Sequence, residues 1–121
     1  MRFVVTGGAG FVGSHLVKHL LKNDHDVIVI DNLHTGKKEN LGSVIGKIEF
    51  QELDIRNHES IKNILKNIDG VFHQAALTVV QDSFSNPKEY HDVNVQGTEN
   101  IFKLSIENKF KVVYASSSSV Y

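Results

Sequence analysis

Residues 2–17 read Arg2-Phe3-Val4-Val5-Thr6-Gly7-Gly8-Ala9-Gly10-Phe11-Val12-Gly13-Ser14-His15-Leu16-Val17. An apolar run, a glycine cluster and a helix-period pattern follow one another without a gap. Phe3-Val4-Val5 has the length and β-branched content of a strand buried on both faces. Val12, Leu16, Val17, Leu20 and Leu21 then recur at helical spacing. The alternation continues along the chain. Strands are expected at residues 2–6, 26–31, 47–53, 70–73 and 111–116. A second helix is read from Ile61, Ile64, Leu65 and Ile68, with Asn57 as its N-cap. The longest helix is expected to start at Asn86-Pro87-Lys88-Glu89, with Asn86 capping, Pro87 in the first turn and Glu89 as a capping-box carboxylate. It places Tyr90, Val93, Gly97, Ile101 and Leu104 on one side. Residues 32–46 are polar and glycine-rich, a loop with at most one weak helical turn.

Strand, helix, strand, repeated, calls for parallel strands joined by right-handed crossovers. The expected fold is therefore α/β, a doubly wound parallel sheet of about five strands in the order 3-2-1-4-5. In such a fold Gly7, Gly10 and Gly13 have separate tasks: a tight turn, close approach of backbone to a pyrophosphate, and close packing of the helix. The helix start adds free N–H groups and a positive dipole end. Asp31 closes the second apolar run, about 20 residues past the glycines, where a carboxylate accepts hydrogen bonds from the adenosine ribose. A carboxylate there repels a 2′-phosphate, so NAD is expected rather than NADP. A turn and a solvated aspartate in a non-binding domain is the bland alternative.

The totals narrow the class. At 121 residues there is room for one domain and no second. With 40% hydrophobic and 22% charged residues the chain is neither disordered nor membrane-like. A formal net charge of −1 gives no reason to expect a nucleic-acid or membrane partner. The absence of cysteine excludes disulfides, a thiolate nucleophile and cysteine-ligated zinc. No signal-peptide pattern precedes the first strand and the apolar runs are short, so a cytoplasmic protein is expected. His15 and His19 stand one helical turn apart without a third ligand, and no metal site is expected. His73 is read as structural, and Lys37-Lys38 as a small charged loop.

Six stretches in order carry a family likeness over the whole chain. They are Val5-Thr6-Gly7-Gly8-Ala9-Gly10-Phe11-Val12-Gly13-Ser14-His15-Leu16, Asp31-Asn32-Leu33, Asp54-Ile55, His73-Gln74-Ala75-Ala76, Asn94-Val95-Gln96-Gly97-Thr98 and Ser116-Ser117-Ser118-Ser119-Val120-Tyr121. The chain resembles the extended short-chain dehydrogenase/reductases, specifically the NAD-dependent epimerase/dehydratase family typified by UDP-glucose 4-epimerase. The resemblance implies residues 1–121 as the N-terminal part of a Rossmann NAD-binding domain. It puts the Phe11 and Val12 backbone at the pyrophosphate, and Asp31, Asn32, Leu33, His34, Thr35 and Gly36 around the adenosine ribose. Asp54 and Ile55 border the adenine, and Gln74, Ala75, Ala76 and Leu77 line the cofactor beyond the fourth strand. Asn94 either touches the cofactor or braces its helix against neighbouring backbone.

The same resemblance makes Ser117 the catalytic hydroxyl that hydrogen-bonds the sugar, although any small residue would suit a polar strand end. Dehydratases of the family carry an acid directly after this position. Here Ser118 and Ser119 follow, which leaves the redox cycle of a nucleotide-sugar epimerase acting on UDP-glucose or a relative. The family's Tyr-x-x-x-Lys pair has no match: neither Tyr90 nor Tyr114 has a lysine four residues later, and Tyr121 belongs to the Val-Tyr motif. The catalytic segment and substrate domain are thus expected to be absent, the chain inactive alone, and its last strand and long helix sites of self-association. The rival readings are a non-catalytic NAD-binding module and a scaffold fragment that needs a complementing chain.

Overall fold

A computed structural model describes residues 1–116. Five parallel strands form one sheet in the order β3-β2-β1-β4-β5, as expected. They are β1 Arg2–Thr6, β2 Asp26–Ile30, β3 Glu49–Gln51, β4 Gly70–His73 and β5 Lys111–Tyr114. In register, Val4 lies beside Ile28 and Val71, and Val5 beside Val29 and Phe72. Alternation along each strand therefore feeds two cores. Val4, Ile28, Ile30 and Val71 pack on one face with Ile61, Leu65, Ile101 and Leu104. Val5, Val27 and Val29 pack on the other with Val17, Leu20 and Leu41. Each such side chain contributes roughly 1.5–3 kcal/mol when fully buried, which is why the central strands tolerate no polar residue before their ends.

Helix α1, Phe11–Lys22, covers the second face, and α2, His58–Lys62, the first. The Asn57 side chain accepts from the Ser60 amide and caps α2. That helix is one short turn, and the apolar spacing to Ile68 is carried onward by turns that still bury Leu65 and Ile68. On the same face, α3 Val80–Ser85, α4 Pro87–His91, a π-helical segment Asp92–Gln96 and α5 Gly97–Asn108 follow one another.

Several expected boundaries shift. The third strand is Glu49–Gln51 rather than 47–53, because residues up to Lys47 form a 3₁₀ turn and β2 offers pairing only from Ile28 to Ile30. The second strand ends at Ile30, although the Asp31 amide still donates to Gln51 O at 3.2 Å. The last strand ends at Tyr114. The 32–46 loop holds two 3₁₀ turns, Lys38–Leu41 and Ile45–Lys47. Asn86 makes no side-chain cap and Glu89 closes no capping box; Pro87 starts α4, and its ring keeps Asn86 out of the helical region, at φ −132° and ψ 57°. The long helix is interrupted by the π segment. Val93, Gly97, Ile101 and Leu104 are buried as its periodicity requires, whereas Tyr90 is half-buried and donates its hydroxyl to Val79 O.

Candidate active-site crevice

The carboxyl ends of all five strands open on one crevice of about 730 Å³, the size of a cofactor site. It lies where β1 separates the two halves of the sheet, the topological switch point of such folds. Gly7 leaves β1 with φ +69°, a left-handed conformation that favours glycine. A Cβ there would stand 2.9 Å from the Ala75 amide nitrogen, so the turn also lies tight against the exit of β4. The chain then enters α1 at Gly10, and the first bond of the helix runs from Ser14 N to Gly10 O. The amides of Phe11, Val12 and Gly13 precede it and have no helical partner. No side chain caps this end and no acidic residue sits in its first turn. Bare amides and an uncompensated dipole form a seat for an anion. A Cβ on Gly10 would meet only Gly7 O, at 3.3 Å, so this face of the loop is open. Gly13 is the opposite case: its Cβ would fall on the Gly7 carbonyl.

Asp31 forms the lip across from that seat. It is only 8% exposed, and main-chain amides hold it: Ala9 N donates to Oδ2 at 2.9 Å and Leu33 N to Oδ1 at 2.8 Å. A carboxylate has about four acceptor sites, so two remain for a ligand's hydroxyl groups. The Gly36 Cα faces the same carboxylate, since a Cβ there would reach Oδ2 at 3.0 Å. Asp54, at the exit of β3, is forked by Arg56, with Nε at 3.0 Å from Oδ1 and Nη2 at 2.6 Å from Oδ2. That guanidinium holds the Asp54 carboxyl below the usual range.

The β4 side is a hydrogen-bonded rim. Thr6 Oγ1 lies 2.7 Å from His73 Nδ1 and accepts from the Gln74 and Ala75 amides at 3.1 Å each. His73 Nε2 lies 2.9 Å from Thr98 Oγ1. Asn94 grips Leu77 from both sides, its Oδ1 accepting from Leu77 N and its Nδ2 donating to Leu77 O. Of its two roles read from sequence, bracing is thus the one its side chain makes in the structure.

The crevice brings together Gly7, Gly10, Phe11, Val12 and Gly13 from the first loop; Asp31, Asn32, His34, Thr35 and Gly36 from the second; and Asp54 and Ile55 from the third. Gln74, Ala75, Ala76, Leu77 and Asn94 complete its far wall. Leu33 departs from expectation. Its side chain packs toward the α1-side core and its backbone takes φ +61°, so only its amide serves the site, through Asp31. Ser117 lies outside the described residues. Sequence reading missed Thr98 and Tyr114 and gave His73 no place in the crevice, yet all three line it; it also missed Thr6, which is buried behind the rim and bonds His73, Gln74 and Ala75. A hydroxyl ending an otherwise apolar strand was the available signal for Thr6. Among the described residues, no group of three or more His, Asp or Glu is placed to hold a metal, and no helix is long and apolar enough to cross a membrane.

The family model described as the NAD-dependent epimerase/dehydratase family matches residues 3–121. The chain belongs to the NAD-dependent epimerase/dehydratase family. It is 45% identical over 116 residues to a putative UDP-glucose 4-epimerase of Methanocaldococcus jannaschii, covering 94% of this chain and 37% of that one. It is 37% identical over 120 residues to a UDP-N-acetyl-alpha-D-glucosaminuronate decarboxylase of Bacillus cytotoxicus, covering 99% and 37%. The solved UDP-glucose 4-epimerase of Thermus thermophilus, in complex with NAD, superposes with a TM-score of 0.88 at 38% identity, over 97% of this chain and 38% of that one. The chain thus spans well under half the length of these relatives. NAD is the family's cofactor, and the crevice fits it: free amides for a diphosphate, an open Gly10 face, and a carboxylate for a ribose diol.

Proposed function

We propose that these residues form the NAD-binding part of a nucleotide-sugar epimerase of the UDP-glucose 4-epimerase kind. The observation that carries the reading is Asp31, whose carboxylate is fixed by two main-chain amides at the lip of a crevice floored by the start of α1. Bound NAD supplies the hydride acceptor, and later the donor, for transient oxidation of the sugar. Phe11, Val12 and Gly13 hold the diphosphate by their amides. Asp31 receives the ribose hydroxyls and repels a 2′-phosphate. Asp54 and Ile55 flank the base, and the β4 rim lines the remainder of the cofactor. Ser117 hydrogen-bonds the sugar hydroxyl.

Epimerisation is favoured over dehydration because Ser118 and Ser119 follow Ser117, and neither serves as the acid that elimination needs. The substrate is a UDP-sugar, the setting is cytoplasmic, and the phenol base comes from outside these residues. The outer side of β5 and the adjoining helix face expose Phe102, Ile106, Val113 and Tyr114. Copies of this chain associate through that surface.

Calorimetric titration with NAD⁺ and NADP⁺ tests the reading. NAD⁺ binds, NADP⁺ binds at least tenfold more weakly, and Asp31→Ala weakens NAD⁺ by about tenfold or more, as loss of a charged acceptor implies. Equal affinity for the two dinucleotides, or no effect of Asp31→Ala, contradicts it.

A further inference from the structure

We propose that His73 is a positioning residue, a neutral imidazole of fixed tautomer that latches the β4 rim of the crevice to the phosphate loop. The proposal rests on the NAD-site reading above for its functional consequence, but its structural basis is a count of protons.

Thr98 has one hydroxyl hydrogen, and it is committed to Asn94 O at 2.7 Å. Its oxygen can therefore only accept from His73 Nε2, 2.9 Å away, which makes Nε2 the protonated nitrogen. Nδ1 is left as an acceptor, and the Thr6 hydroxyl donates to it across 2.7 Å. The two lone pairs of Thr6 Oγ1 then receive the amides of Gln74 and Ala75. Every donor and acceptor along this line is used once. The opposite tautomer puts two hydrogens, Nδ1–H and the Thr6 hydroxyl, between His73 and Thr6 and none between His73 Nε2 and Thr98. An imidazolium sets a new N–H against an oxygen whose lone pairs are already filled.

The line reaches every part of the rim. At one end it fixes the Gln74–Ala75 backbone, against which Gly7 is packed too closely for a Cβ. At the other it passes into the π segment at Asn94, whose amide holds Leu77. The wider turn there sets Asn94 toward the loop while Thr98 stays under the histidine. Single-turn π segments recur at functional sites for such re-aiming of side chains. His73 is 3% exposed. The groups that face it are Thr6 from β1, Thr98 from α5 and the Tyr114 ring from β5, nearly parallel at 6.2 Å. None carries a charge, and burial alone pushes the imidazole down to about 4. A latch built this way stays neutral throughout the range in which a dinucleotide enzyme works.

Two measurements on the 121-residue chain decide it. Long-range ¹H–¹⁵N correlation on histidine-labelled protein should show His73 with a pyrrole-type Nε2 and a pyridine-type Nδ1, unchanged from pH 7 to pH 5. An Nδ1–H tautomer, a mixture, or an imidazolium above pH 6 overturns the proposal, whatever the chain binds. Thr98→Val keeps the shape of the side chain and removes both hydrogen bonds; Thr98→Ser keeps both and loses a methyl. The latch predicts loss of the single tautomer and about tenfold weaker NAD⁺ binding in Thr98→Val, the worth of one neutral hydrogen bond, with Thr98→Ser close to the parent. The reverse order, with Ser worse than Val, marks a packing role and overturns it. If the parent chain fails to bind NAD⁺, the functional reading fails, and the tautomer still decides the latch.

Discussion

Replacing Gly13 with alanine separates the two jobs assigned to the glycine loop. A Cβ at Gly13 would lie 2.2 Å from the Gly7 carbonyl oxygen and 2.9 Å from both Gly7 C and Gly8 Cα. Carbon–oxygen contacts are comfortable from about 3.3 Å, so α1 and the loop must separate by about 1 Å. Both partners are backbone, and no rotamer relieves the clash. Overpacking of this kind costs about 1–3 kcal/mol, against which alanine returns at most about 1 kcal/mol of helix propensity. The net loss of about 1–2 kcal/mol lowers Tm by roughly 4–10 °C in a domain of this size. Gly10→Ala behaves otherwise. Its backbone sits at φ −80° and ψ 178°, open to any residue, and its Cβ meets only Gly7 O at 3.3 Å. Stability should change by less than about 1 kcal/mol while NAD⁺ affinity falls by about tenfold or more, because the methyl enters the anion seat. Thermal melts and calorimetry on the two variants provide the assay. A Gly13→Ala protein that melts with the parent, or a Gly10→Ala protein that binds NAD⁺ as the parent does, refutes this division of roles.

Acidification offers a second test: the His73 imidazole falls from 6.5 to about 4 on folding, so the unfolded chain binds more protons between those values. Its stabilising effect is complete above pH 6.5 and is lost as pH falls toward 4, by up to about 3 kcal/mol in denaturant titrations; His73→Gln should flatten that slope. A polypeptide of these 121 residues should not turn over UDP-galactose, since no tyrosine in it has a lysine four residues later; measurable conversion contradicts the assignment of the base. Sedimentation should show association rising with concentration, and a monodisperse monomer throughout argues against an adhesive β5–α5 face.

Legibility from sequence followed the physics of each element. The strands Arg2–Thr6 and Gly70–His73 fall where their apolar runs predict, because strands buried on both faces leave an unmistakable run. The Asn57 cap and the Gly7–Gly13 loop were readable because each conformation demands particular residue types. The 80–108 region was less transparent. Periodicity located its buried side, yet a π turn adds one residue without disturbing the apolar stripe that defines a helix. The short helix Val80–Ser85 buries no residue and so leaves no pattern. The site itself divides the same way. Loop residues with their own chemical signature, such as Asp31, stand where expected, whereas the Thr6–His73–Thr98 line joins positions far apart in sequence, which only the folded sheet brings into contact.

The most direct test of the NAD site is a ¹H–¹⁵N amide map of the chain recorded as NAD⁺ is added. Saturable shifts should centre on Gly10, Phe11, Val12 and Gly13, with a second group at Ala9 and Leu33, whose amides hold Asp31. A spectrum in which those amides stay still while the shifts gather elsewhere, for instance around Arg56 and Lys88, contradicts a dinucleotide seated at the start of α1.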